Sequence, residues 1–169
     1  MRLAISVLGI ALLVVDALSS EAATRRPGST APKFDFVYET GWGTKLDTYD
    51  STLTKDLVGL PDTTIHVVLS HADRDSVLLE MQEINFFALP EPQPPYPGCG
   101  PLEPSTSVRI EATLGGQTHR LVWDSGSVVC AYDDSGVWGQ ILELQRLIVR
   151  VMKRQPGYQT LPRPRGAYY

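Results

Sequence analysis

The chain of 169 residues is short of most features that announce a chemistry. Its only histidines are His66, His71 and His119, and a metal site needs about three converging ligands. His71 and Asp73, two apart at a helix start, do not share a helix face. No glycine-rich phosphate loop and no G-x-S-x-G elbow occur, so the sequence names neither a nucleotide nor a serine-hydrolase site. There is no cofactor motif, and no cofactor is expected. Lys and Arg are not clustered, and the net charge is −4. That balance excludes nucleic acid as a partner, since polyanion binding needs a basic patch.

Long apolar runs are also missing, with one exception. Leu3–Val15 is a 13-residue apolar run behind Arg2, and Ser20-Glu21-Ala22 places small residues around a cut. That order is a secretory signal peptide, residues 1–22. Asp16 ends the run well short of the ~20 residues that span a bilayer, so no transmembrane segment remains after cleavage. Removing Arg2, Asp16 and Glu21 from 15 basic and 19 acidic residues leaves 14 and 17, a net charge of −3 on residues 23–169. The expected location is secreted or periplasmic. There the two cysteines, Cys99 and Cys130, form a disulfide closing a 32-residue loop. Chain entropy gives such a loop about 3–4 kcal/mol.

The rest reads as one α+β domain over 34–169, behind a flexible arm at 23–33. Phe34, Phe36 and Tyr38 alternate with Lys33, Asp35 and Glu39, as in a half-buried strand. Residues 44–58 read as two short strands turning near Asp50-Ser51, with Lys55 sharing a face with Leu53 and Leu57. Ile65, Val67 and Leu69 alternate again. Ser70 and Asp73 have capping-box spacing, and Val77, Leu78, Met81 and Ile84 make one helical stripe, with Asp73, Arg74, Glu80 and Glu83 largely off it. Residues 90–104 hold seven prolines and form an extended loop. Val108, Ile110, Ala112 and Leu114 alternate into Gly115-Gly116, a hairpin turn that sets Ile110 against Leu121 and Val108 against Trp123. Asp134 and Ser135 offer caps for a last helix, striped with Ile141, Leu144, Ile148, Val151 and Met152 and ended by Pro156-Gly157. The tail from Leu161 is extended. The order predicts an antiparallel sheet of about five strands with two amphipathic helices on one face.

Leu46-Asp47-Thr48-Tyr49, then Thr54-Lys55-Asp56-Leu57, and finally Tyr158-Gln159-Thr160-Leu161-Pro162 with Gly166 and Tyr168, resemble a group of uncharacterised small exported bacterial proteins. Their pattern is L-D-T-aromatic followed by T-K-D-aliphatic. The resemblance implies the same strand–helix–hairpin–helix order and brings no activity. Many of that group look like lipoproteins, whose lipid-bearing cysteine this chain lacks.

Two surfaces and one chemistry compete for function. Asp47, Lys55 and Asp56, with Tyr158 and Tyr168 of the tail, form the candidate interaction surface; the plain alternative is a cross-strand charge pair. The Pro-rich loop is either a stiff recognition element or a passive connection. Asp124-Ser125-Gly126-Ser127 resembles the turn of aspartic proteases, with a second Asp-Ser-Gly at 134–136. That chemistry needs two carboxylates sharing a proton, each on such a turn, and a chain continuing in strands; here helix is expected instead. The leading expectation is a non-catalytic exported domain binding a protein or cell-envelope partner. An acid hydrolase using Asp124 and a structural envelope protein are the alternatives. The mass of the exported product is expected to lack residues 1–22 or 1–23 and two hydrogens; a full-length, reduced product would contradict the export reading.

Overall fold

The computed structural model describes residues 32–90, 104–125 and 136–168. The signal segment, nearly all of the arm, most of the Pro-rich loop, both cysteines and the Asp134-Ser135 cap lie outside them. Six strands form one antiparallel sheet. They are β1 (Phe34–Thr40), β2 (Lys45–Asp47), β3 (Thr52–Lys55), β4 (Thr63–His66), β5 (Ser107–Leu114) and β6 (Gln117–Asp124), in the order β4-β3-β2-β1-β5-β6. Helix α1 (His71–Glu83) follows β4, α2 (Val137–Arg154) follows the β5–β6 hairpin, and a single turn, α3 (Pro156–Thr160), follows α2. The α+β class and element order agree with the sequence pattern. Among the described residues the sheet has six strands, against the expected total of about five; the three short ones over residues 45–66 are those that the alternation marked.

Alternation explains the sheet's two-sidedness. The register aligns Ile65, Leu53, Leu46, Tyr38, Ile110 and Leu121 in one row across all six strands. All but Ile65 are buried, and Ile65 packs at the cluster margin. Phe36–Ala112 and Val108–Trp123 flank the row on the same face. Against it lie Val77 and Met81 of α1 and Ile141, Leu144, Ile148, Val151 and Met152 of α2. Truncating one of these to alanine costs about 2–5 kcal/mol. The opposite face carries Glu39, Lys45, Thr52, Thr54, Arg109, Glu111, Thr118 and Arg120, polar groups suited to water. There Arg109 pairs with Glu39 (2.5 Å).

The hairpin forms as its sequence demands: Gly115 and Gly116 have φ of 58° and 90°, which a two-residue turn of this hand requires. The β4 strand is shorter than its alternation implied. Val67 still donates its N–H to Ser51 O (2.8 Å), but it and Leu69 fall beyond the strand and are buried.

Polar residues close the open ends. β1 outruns β2, which leaves main-chain groups of Phe34 and Phe36 without a strand partner. Thr48 supplies one: its Oγ1 accepts from Phe36 N (2.7 Å), and its N–H donates to Phe36 O (3.0 Å). Arg74 supplies the other, donating to Phe34 O (3.2 Å) and to Asp35 Oδ1 (3.0 Å). Asp35 is thus buried but paired.

Asp73 corrects the sequence reading, which set it off the apolar stripe. It lies one turn before Val77 and is buried. Its N–H bonds the Ser70 cap (3.1 Å), and its carboxylate accepts from Arg154 and from Gln155 Nε2 (3.3 Å). The start of α1 is therefore tied to the end of α2. Burial alone would raise the Asp73 pKa; hydrogen bonds from Ser70, Arg154 and Gln155 outweigh it and hold the group below its ordinary 3.8. A depressed carboxylate stabilises the fold above its unfolded value, and that contribution is lost as pH falls through the folded value. The melting temperature is accordingly expected to fall as pH drops below about 4. Asp73→Asn should melt lower at pH 7, with a gap to the parent that shrinks at pH 3. A gap independent of pH would contradict this assignment.

Candidate functional site

The sequence-selected surface residues divide into two places. Asp47 sits at the turn end of the β2–β3 hairpin, opposite Thr52. Its Oδ1 accepts from the N–H groups of Tyr49 (3.0 Å) and Asp50 (3.2 Å), and its Oδ2 pairs with Lys45 (2.9 Å). Burial opposes its ionisation, but these partners hold its pKa below the usual value. Lys55 and Asp56 lie at the other end of β3, three residues on, roughly 10 Å along the strand. The expected clustering of Asp47 with them is therefore not found: strand rise separates them, and Asp47 serves its own turn.

Lys55, Asp56, Tyr158 and Tyr168 do come together. Lys55 lies on the apolar side of β3, where an ammonium needs partners. It places Nζ 4.7 Å from the centre of the Tyr158 ring and donates to Pro162 O (2.9 Å). Asp56 Oδ1 accepts from Val58 N (2.9 Å), which shapes the β3–β4 connection, while its Oδ2 accepts from the Tyr168 hydroxyl (2.7 Å). Leu57 is buried, and its carbonyl accepts from Arg165 N (3.3 Å). The segment Leu161–Tyr168 thus lies along residues 55–58. Residues 54–57 and 158–168, about a hundred positions apart in sequence, touch one another.

Trp42 completes the cluster, and sequence reasoning passed it over. Its ring stacks on Tyr168 with centroids 4.6 Å apart and planes 20° from parallel. It sits in the turn after β1, where Gly43 takes φ 98° and has the Asp62 carboxylate against its Cα. A lone indole between Gly41 and Gly43 belongs to no strand or helix period, and that was the available signal. Hydrogen bonding to Asp56, with the nearby charges of Asp56 and Asp62, pushes the Tyr168 phenol up to about 12. Burial raises the Tyr158 pKa as well.

The catalytic alternative has a different setting. Asp124 ends β6 opposite Ser107, and Ser105 Oγ donates to its Oδ2 (2.6 Å). Ser125 closes the same end, exchanging hydrogen bonds with Thr106 (2.8 and 3.0 Å). The next described element is the helix α2; Asp134 lies outside the described residues. His66 and His71 are exposed, while His119 meets the Phe86 ring edge-on (5.2 Å) opposite Ala112. No metal-binding group of three side chains occurs among the described residues. None of their helices is long and apolar enough to cross a membrane. A depression of about 220 Å³ on the polar sheet face, lined by Glu39, Ser107, Arg109, Arg120 and Val122, offers mixed charge but no reactive set.

Comparison with known protein families, curated proteins and solved structures finds no match to the chain.

The docked segment is exposed along most of its length and rests on few contacts. Such a segment opens locally without global unfolding. Tyr168→Phe, which removes the bond to Asp56, is expected to speed proteolytic cleavage within residues 161–168 by about threefold or more. The melting temperature should stay within about 2 °C of the parent. A large drop in melting temperature would mean the contact is part of the global core.

Proposed function

We propose that this is a non-catalytic exported domain that binds a protein or cell-envelope partner at the surface where Trp42, Lys55, Asp56 and Tyr158 meet, a place its own Tyr168 takes in this structure. The observation that carries the reading is this convergence of two stacked aromatic rings, a third ring under an ammonium, and a carboxylate–phenol pair. Rings with polar tips give large contact area at low entropy cost, which is why they dominate recognition surfaces. Trp42 and Tyr168 stand outside the buried apolar cluster, while Tyr158 packs at its margin. The secreted or periplasmic location follows from the signal segment and belongs to the same proposal.

The acid-hydrolase alternative would require Asp124 to share a proton with a second carboxylate. Among the described residues Ser105 donates its hydroxyl to Asp124, and the next described element is the helix α2 rather than a strand. The envelope-structure alternative would show as persistent association with wall or membrane fractions.

The test uses residues 23–169 as bait in the exported fraction of the source organism, with captured proteins identified by mass spectrometry. One saturable partner is expected. It should be lost with Trp42→Leu, whose fold is checked by circular dichroism, and retained with Asp124→Asn. A partner indifferent to Trp42→Leu, or a hydrolytic activity abolished by Asp124→Asn, would overturn the proposal.

A further inference from the structure

We infer that the surface formed by Trp42, Asp56 and Val58 recognises an extended segment of a partner protein that carries a tyrosine, a glycine two positions before it and a non-proline residue three before it. The chain's own Leu161–Tyr168 holds this place in cis. The inference rests on the partner-binding reading and names the chemistry of its ligand.

The occupant displays what the surface accepts. At the tyrosine position the ring lies on Trp42 and the hydroxyl donates to Asp56 (2.7 Å), so a phenylalanine would lose one contact and an alanine both. Two residues earlier, a Cβ on Gly166 would stand 3.2 Å from Val58 Cγ1, tighter than ordinary contact, which selects against a side chain there. Three residues earlier, Arg165 N–H bonds Leu57 O, a donor that proline lacks. Six residues earlier, the Pro162 carbonyl meets Lys55 Nζ (2.9 Å), a contact any residue can make through its main chain. Together these specify spacing as well as composition. The segment carries Arg163 and Arg165, and the surface presents Asp56 and Asp62, so the opposite signs favour approach.

The occupant is also suited to exchange. It forms no strand of the sheet, and Pro162 and Pro164 lack N–H groups. Among the described residues a single main-chain hydrogen bond, from Arg165 to Leu57, ties it to the β3–β4 connection. Tethering holds such a segment at an effective concentration of about 1 mM. A partner segment must therefore outcompete it, so binding in trans should strengthen when the cis segment is weakened.

The experiment titrates a fluorescent peptide of the sequence Leu161–Tyr168 against the full chain, followed by anisotropy. Saturable one-to-one binding is expected to chain carrying Tyr168→Ala, and at least about tenfold weaker binding to the parent, whose cis segment competes. Replacing the peptide's tyrosine by alanine, or its glycine by valine, should weaken binding by about tenfold or more. Adding Trp42→Leu to the chain should do the same; Asp56→Asn serves if that variant does not fold. Absence of saturation at about 1 mM peptide, or binding indifferent to both chain variants, overturns the inference. A concentration-dependent dimer of the parent that Tyr168→Ala abolishes overturns it too, since the occupant would then be a second copy. Partner capture sensitive to Trp42 without peptide binding would sink this inference and leave the proposed function standing. Peptide binding without any captured partner would overturn both, since the surface would then serve the chain's own segment alone.

Discussion

Six side chains in register, from Ile65 through Leu53, Leu46, Tyr38 and Ile110 to Leu121, must be kept from water, and the remaining architecture answers that demand. A sheet with one apolar face needs a cover of matching area, and two helices with apolar stripes supply it. The cover must then be fixed in place. Arg74 anchors α1 to the start of β1, and the Asp73–Arg154–Gln155 contact joins α1 to the end of α2. Each device seats a buried carboxylate, Asp35 or Asp73, that is satisfied on several sides. That is the condition under which such groups can be buried without a large loss of stability.

The row also explains why the C-terminal segment lies where it does. The apolar face runs out at the end of β3, where Lys55 points to the covered side. An ammonium there has to find a carbonyl and a ring, and Pro162 and Tyr158 provide them. Asp56 and Leu57, next in sequence, take up Tyr168 and Arg165. A single polar residue on the apolar side of β3 is thus met by the segment that lies along it. The aromatic and carboxylate groups that follow give that surface its chemistry.

Local pattern made much of this legible. The Gly115-Gly116 turn fixed the β5–β6 register, and the spacing of Ile141, Leu144, Ile148, Val151 and Met152 marked every buried position of α2. Four of the five surface candidates converge, whereas Asp47 does not, because charge proximity in sequence says nothing about which end of a hairpin a side chain serves. The burial of Asp73 was hidden for a related reason. A carboxylate at a helix start looks like a cap and a solvated charge until a distant arginine is known to reach it. Trp42 escaped because its partner, Tyr168, is more than a hundred positions away and neither residue sits in a periodic element. Long-range contacts between irregular segments leave no trace in periodicity, and the candidate site is built from them.

The most direct measurement is a pH titration of Tyr168 in the intact chain, by NMR with the tyrosine ring labelled. If the segment is closed over Trp42 with its hydroxyl on Asp56, the phenol ionises near 12, and its ring shows cross-relaxation with the Trp42 indole. A Tyr168 that titrates at the ordinary 10.0, with no contact to Trp42, would mean the surface stands without its cis occupant, and the account of the site would fail.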